Sequence, residues 1–249
     1  MLELLEYFAE RGRPASLAEV SKHFGWPRSS TFNLLGTLVN RGYLYEPRAR
    51  EGYYPSPIWS TLIQKIERTA SVPAELQDLI AALRDRTRET AVLAGISGMQ
   101  ALFIATAESQ QAVRYTAPVG RLVPIHASAT GRALLSQLSE QERAAILRRA
   151  MFVQHTPTTL LSVDAVEKEI TASQQRGYFQ NAGEYTQDLG GVALPLDAGN
   201  RHLAVLVAGP VNRVQPRQDE ILAVMREEIA RRFPAQPVPV AGARARRAA

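Results

Sequence analysis

Four histidines, at positions 23, 126, 155 and 202, stand apart from one another in a 249-residue chain that has no cysteine. Without Cys there is no thiol nucleophile, thiolate zinc site or disulfide framework. No His-Glu-x-x-His or comparable spacing offers a metal its ligands, so neither a metal nor a cofactor is expected. Gly95-Ile-Ser-Gly98 breaks the Gly-x-Ser-x-Gly frame of a nucleophile elbow. Gly190-Gly191 lacks the Lys-Ser/Thr that follows a phosphate-binding loop. One hydrolytic set stays open: His126, Ser128 and Glu184 are the three group types of a Ser-His-acid triad. A different chemistry, recognition without turnover, lies in Arg28, Ser29, Ser30, Asn33, Thr37 and Asn40. Their guanidinium, hydroxyl and carboxamide groups can pair with phosphates and with base edges in a DNA major groove.

Those groups reach a groove only if an element presents them together. On a helical wheel Phe32, Leu34, Leu35, Leu38 and Val39 fall on one side, predicted to pack inward. Ser29, Asn33, Thr37 and Asn40 fall opposite, with Ser30 at the edge, Arg28 at the N-terminal end, and Gly36 leaving room for close approach. Two further helices precede this one. Residues 1–11 are amphipathic, with Leu4, Leu5 and Phe8 on one face, and Ser16-Leu-Ala-Glu19 is a capping box that opens a short helix ending near Gly25. Pro27 suits the first turn of the third helix, which is predicted to run to Gly42. Tyr43-Leu-Tyr45 and Tyr53-Tyr54 then flank a polar tip holding Arg48 and Arg50. Helix-turn-helix followed by a small hairpin reads as a winged helix over residues 1–56.

The net charge of +5 is unevenly spread. Lys22, Arg28, Arg41, Arg48 and Arg50 face only Glu46 between positions 22 and 50, a local excess suited to a phosphate backbone. Residues 57–225 are balanced and residues 226–249 basic. With 45% apolar and 21% charged residues the chain has the composition of a soluble globular protein. No apolar run spans a membrane, and the first residues lack the basic and apolar regions of a signal peptide, so a cytoplasmic location is expected.

Residues 57–70 read as a linker helix carrying Ile58, Leu62, Ile63 and Ile66. Beyond it, a helix is predicted at about 74–88 and strands at Thr90–Ile96, Ala101–Ala107 and Val113–Thr116. Helices follow at about 129–137, 140–149 and 163–176, then strands at Tyr178–Phe179, Gly191–Leu196 and Leu203–Ala208, and a last helix at about 217–233. This is a mixed α+β domain over 71–234. Residues 235–249 have no core-forming pattern and are expected to be a disordered tail.

With those elements in place, the chain resembles the IclR (isocitrate lyase regulator) family of bacterial transcription factors over about 220 residues. Arg13-Pro-Ala-Ser-Leu-Ala-Glu-Val20, Pro27-Arg-Ser-Ser30 and Leu34-Leu-Gly-Thr-Leu-Val-Asn-Arg-Gly-Tyr-Leu44 are similar to its winged helix. Glu89-Thr90 and Val119-Gly-Arg-Leu-Val-Pro-Ile-His-Ala-Ser-Ala-Thr-Gly-Arg-Ala-Leu-Leu135 follow, then Arg176-Gly-Tyr178, Gly183-Glu-Tyr185 and Gly209-Pro210, in the family's order. The resemblance implies an α+β chain: an N-terminal winged helix-turn-helix plus a GAF-like mixed α/β effector-binding domain, assembled as homodimers that often pair into homotetramers. It also implies a DNA-binding regulator, more often a repressor, of catabolic genes.

DNA contacts are expected from Arg28, Ser29, Ser30, Asn33, Thr37, Arg48 and Arg50, on a pseudo-palindromic double-stranded operator. Effector contacts are expected from His126, Ala129, Thr130, Gly131, Asn181, Leu189, Gly191 and Ala208. The first and fourth of these, with Ala129 and Thr130, belong to a segment of small residues opening a helix; the others are matched by resemblance. Relatives place an acid where Asn181 stands, a Cys at Gly191, and hydroxyls at Leu206 and Ala208. Their neutral replacements here imply a roomier, less polar pocket for a carboxylic or aromatic acid. The chain is expected not to be an enzyme. A protein-interaction module, or a hydrolase using Ser128 and His126, are the alternatives.

Overall fold

The computed structural model describes residues 2–48, 51–70, 72–198 and 201–234. The chain forms two compact units, Met1–Ser71 and Val72–Ala249. Arg50 and the tail expected to be disordered fall outside the described residues.

In the first unit, α1 (Leu2–Arg11), α2 (Leu17–Phe24) and α3 (Arg28–Asn40) precede a two-stranded antiparallel wing, β1 (Leu44–Tyr45) with β2 (Tyr54–Pro55), and then α4 (Ile58–Ala70). The capping box at Ser16 is formed: its hydroxyl accepts from the Glu19 amide while the Glu19 carboxylate takes the Ser16 amide. These bonds and the Arg11 guanidinium hold the Glu19 carboxyl down to about 2. Gly25 ends α2 in the left-handed region, φ +66°, which a side chain would strain. Leu4, Phe8, Val20, Leu35, Leu38 and Leu44 fill the core between the three helices and the wing.

Two expectations for α3 need correction. Pro27 is the N-cap, one residue ahead of the helix, which ends at Asn40 and not at Gly42. Phe32 is not in the core but 58% exposed. The buried stripe is Thr31, Leu35 and Leu38, spaced at i, i+4 and i+7, and Phe32 lies one residue around from it. Thr31 can be buried because its hydroxyl donates to the Pro27 carbonyl at 3.0 Å.

The second unit begins with α5 (Ala74–Thr87). Its sheet has six antiparallel strands: β3 (Thr90–Ser97), β4 (Gln100–Ala107), β5 (Leu122–Pro124), β6 (Phe179–Ala182), β7 (Leu189–Asp197) and β8 (His202–Pro210). Their order across the sheet is β5-β4-β3-β8-β7-β6. Between β5 and β6 lie α6 (Ala129–Leu135), α7 (Glu140–Arg149) and α8 (Val163–Arg176). The short α9 (Val211–Val214) and a 3₁₀ turn lead into α10 (Gln218–Arg232). Val113–Thr116 is not a strand. Its carbonyls are taken by side chains instead of a ladder: the Thr90 hydroxyl donates to Tyr115 O at 2.6 Å and Arg213 to Val113 O at 3.0 Å. The edge strand beside β4 is β5, only three residues long and so without a pattern of its own in the sequence.

Both faces of the sheet are covered, so its central strands β3, β7 and β8 are largely apolar. On one face Leu93, Val192, Leu194, Val205 and Val207 pack with Leu79 and Leu83 of α5 and Ile221 and Met225 of α10. On the other, Val92, Ala94, Ala193, Ala204 and Ala208 pack beneath α6 and α8. Along the middle of β7 and β8 the period of two turns Gly191, Ala193, Ala204 and Ala208 to the α6 side, with Leu206 the large residue among them.

A buried carboxylate ties α5 to α10. Glu228 accepts from Arg86 at 2.6 Å and Arg231 at 2.6 Å, and also pairs with Arg232. Burial raises its pKa most strongly of any single influence, yet the bonds from Arg86 and Arg232 together hold the carboxyl below its ordinary 4.5. Its contribution to stability is therefore present above pH 4.5 and is lost as pH falls through the depressed value. Glu228→Gln should lower unfolding stability by about 1–3 kcal/mol at pH 7. Denaturant titrations at falling pH should show the two proteins converging in acid.

Candidate functional site

Each unit presents a site. On α3, Arg28, Ser29, Ser30, Asn33 and Thr37 are all exposed, with Asn40 beyond them. The Thr37 hydroxyl donates to Asn33 O at 2.8 Å, so toward a partner it can only accept. In the wing Arg48 is open to solvent and only loosely paired, at 3.3 Å, with Glu51. Trp59 at the start of α4 donates its ring N–H to Tyr43 O at 2.9 Å, and the two rings sit 4.9 Å apart, which fixes the wing's base.

In the second unit a narrow cavity of about 20 Å³, large enough for a water molecule and partly open to solvent, lies between α6 and the sheet. Gly191 and Ala208 give it depth, since they carry the smallest side chains on that face. Phe103 of β4, Val123 of β5, Leu206 of β8, and Tyr115, Tyr185 and Leu189 complete an apolar and aromatic wall. Ser128, Ala129 and Thr130 close it from α6, and Asn181 from β6. Among the described residues no charged side chain lines it.

The polar groups in this lining are unequally engaged. The Ser128 hydroxyl caps α6, accepting from the Gly131 amide at 3.1 Å and donating to Pro124 O at 2.8 Å. Asn181 Oδ1 accepts from the Glu184 amide at 2.9 Å. That bond assigns oxygen and nitrogen, and leaves the carboxamide NH₂ without a partner among the described residues. The Thr130 hydroxyl and the peptide N–H groups of Ala129 and Thr130 likewise have none. Burial pushes the Tyr115 phenol above its ordinary value, so it stays a neutral donor. Donors outnumber acceptors here, a lining that favours an acceptor-rich ligand.

Of the residues expected at this site, Ala129, Thr130, Asn181, Leu189, Gly191 and Ala208 are brought together. His126 and Gly131 are not in the lining. His126 is buried, with Nε2 3.2 Å from Val153 O and its ring against Phe152 at 5.0 Å. Burial lowers its pKa. Gly131 is small because a Cβ there would overlap the Ile125 backbone, on which α6 rests. Phe103, Tyr115, Val123 and Tyr185 escaped the sequence reading. Tyr185 sits in the Gly183-Glu-Tyr185 motif, which is its signal in the sequence, whereas Tyr115 lies in the strand-like run Val113–Thr116. The triad His126, Ser128 and Glu184 is not assembled, since each group is bonded elsewhere.

Glu184 is held by Arg132, the largest fully buried side chain. Its guanidinium donates to His126 O at 3.1 Å, to Gln180 O at 2.6 Å and to Glu184 Oε2 at 2.5 Å. One residue of α6 thereby pins the cavity's helix to β6 and to the loop that carries Tyr185.

Sequence and fold are both shared with known regulators. Residues 64–232 match the family model described as bacterial transcriptional regulator IclR C-terminal, and residues 1–48 match the IclR helix-turn-helix domain. The chain is 29% identical to the acetate operon repressor of Salmonella typhimurium over 221 residues, covering 86% of this chain and 79% of the relative. To the transcriptional repressor IclR of Escherichia coli K12 it is 28% identical, with 86% and 79% covered. The crystal structure of Thermotoga maritima IclR superposes with a TM-score of 0.70 at 20% identity, covering 93% of this chain and 96% of that one, a likeness of fold.

Arg132→Met should cost about 3–5 kcal/mol in denaturant unfolding, because Glu184 and two carbonyls lose their donor. Adding Glu184→Gln should restore part of that loss, as coupling between contacting groups requires. Purely additive losses would show the pair to be uncoupled.

Proposed function

We infer what this chain does from one premise: it belongs to the IclR family of bacterial transcriptional regulators. It is a DNA-binding transcriptional regulator with an effector domain, and not an enzyme. We propose that it is a repressor acting in the cytoplasm, a sign supported by the names of both curated relatives. A homodimer, able to pair into a tetramer, sets two copies of α3 into major grooves of a pseudo-palindromic operator. Ser29 and Asn33 meet base edges, while Arg28, Ser30 and Thr37 border the backbone. Arg48 and Arg50 of the wing add phosphate or minor-groove contacts. The exposed apolar side chains Ile58, Ile63 and Ile66 on α4 support pairing of two copies along that helix.

The observation that carries the effector reading is the cavity with free donors and no charge. Its aromatic wall suits the body of an aromatic or longer-chain acid, for which the narrow cavity must widen on binding. The Asn181 carboxamide, the Thr130 hydroxyl and the Tyr115 phenol suit the carboxylate. Effector binding changes operator affinity by its difference in affinity for two arrangements of the dimer, typically about 1–3 kcal/mol.

Operator binding by the full chain should weaken log-linearly with salt, with a slope of about −5 or steeper if six or more phosphates are displaced. Arg28→Ala should reduce that slope by about one without changing base preference. A salt-independent affinity would contradict a DNA-facing α3. In calorimetry, benzoate or phenylacetate should bind the full chain with a negative heat-capacity change, and glyoxylate only weakly. Tight binding of glyoxylate alone would overturn the aromatic-acid assignment.

A further inference from the structure

Phe32 is the one large apolar side chain on the exposed face of α3. Phe8, Phe24 and Trp26 in the same unit each lie in ring–ring contact, whereas no ring packs against Phe32 among the described residues. One turn further along the same face is Gly36, where an added Cβ would meet nothing within 4 Å. A glycine inside a helix weakens it relative to alanine. Nothing within the unit needs the space it leaves. The two features together are a projecting ring beside a notch. Ser29 and Asn33 flank them on the same face, and both groups suit base edges.

A major groove presents one apolar group on its base edges, the 5-methyl of thymine. We propose that Phe32 is a specificity-determining residue that reads a thymine through this methyl, with Gly36 letting the helix backbone approach closely enough for the ring to reach it. This rests on α3 being the DNA-facing helix. The ring stays in water until the groove covers it, and contact with the methyl is then the apolar gain that distinguishes thymine from the other bases. Alanine at 36 would fill the notch with a Cβ and hold the helix away from the bases.

The test starts from the duplex that the full-length protein enriches from a random-sequence library. Each thymine of that duplex is replaced in turn by deoxyuridine, which removes the methyl and leaves every hydrogen-bonding group. At one or more positions the wild-type protein should lose about fourfold in affinity, the worth of one buried methyl group. Phe32→Ala should bind the thymine and deoxyuridine duplexes equally at those positions while keeping the wild-type salt slope. Because Phe32 is exposed, this variant should fold with an unchanged circular dichroism spectrum. Gly36→Ala should raise the thermal midpoint yet weaken binding to the thymine duplex. Wild-type indifference to deoxyuridine at every position overturns the assignment, as does a Phe32→Ala variant that retains the penalty. Gly36→Ala binding as tightly as wild type overturns the notch. A wild-type protein that enriches no duplex and shows no salt slope overturns the DNA-facing reading of α3, and the thymine assignment with it.

Discussion

One sheet with helices on both faces must fill two cores from the same strands, and this constraint shapes the whole second unit. The backbone period of two allows each strand to treat its faces differently. In β7 and β8, Val192, Leu194, Val205 and Val207 complete the face toward α5 and α10. On the other face Leu206 is large, but Gly191, Ala193, Ala204 and Ala208 are too small to complete the packing. The space left under α6 is therefore written into the strand sequence. A well-packed core on the opposite face keeps it from collapsing.

Keeping that space open falls to α6, a helix whose seven residues are all buried. Ser128 caps it, and Gly131 lets it lie on the Ile125 backbone. Arg132 then joins it to β6 and to the loop bearing Tyr185. A fully buried guanidinium is costly to desolvate. Here that cost is offset by two carbonyls and the Glu184 carboxylate, and the cluster holds three segments of the cavity wall in one arrangement. The donors within the cavity differ in kind. The Thr130 hydroxyl, the Asn181 NH₂ and the Tyr115 phenol are neutral and have no hydrogen-bond partner among the described residues, so a ligand can satisfy them without first breaking an ion pair.

Much of this was legible in the sequence, and the failures have physical causes. The capping box at Ser16 and the turn at Gly25 are local signals, and they delivered α2 within a residue. Strand-like runs announced β7 and β8, and the family resemblance placed Gly191 and Ala208 in a pocket, though not what would close it. That depends on which elements cover each face, a tertiary fact. Phe32 was assigned inward because it is apolar, yet the stripe spacing of Thr31, Leu35 and Leu38 decides the face, and a threonine with a satisfied hydroxyl can take a core position. Val113–Thr116 has strand-like residues, but side-chain donors claim its carbonyls. Conversely β5 is too short to leave a pattern. His126, prominent in its motif, is occupied with Val153 and Phe152 behind the cavity, a placement that residue type could not reveal.

The central claim is that the space left by the small residues of β7 and β8 is where an acid binds to control operator affinity. Filling that space from the sheet side tests it most directly. In fluorescence anisotropy with the selected duplex, a panel of monocarboxylic acids would be titrated against wild type and against Ala208→Leu. The cavity reading predicts that an acid which releases DNA from wild type leaves the Ala208→Leu complex intact, with the two proteins equal in affinity before any acid is added. Release from Ala208→Leu at the same acid concentration would contradict it.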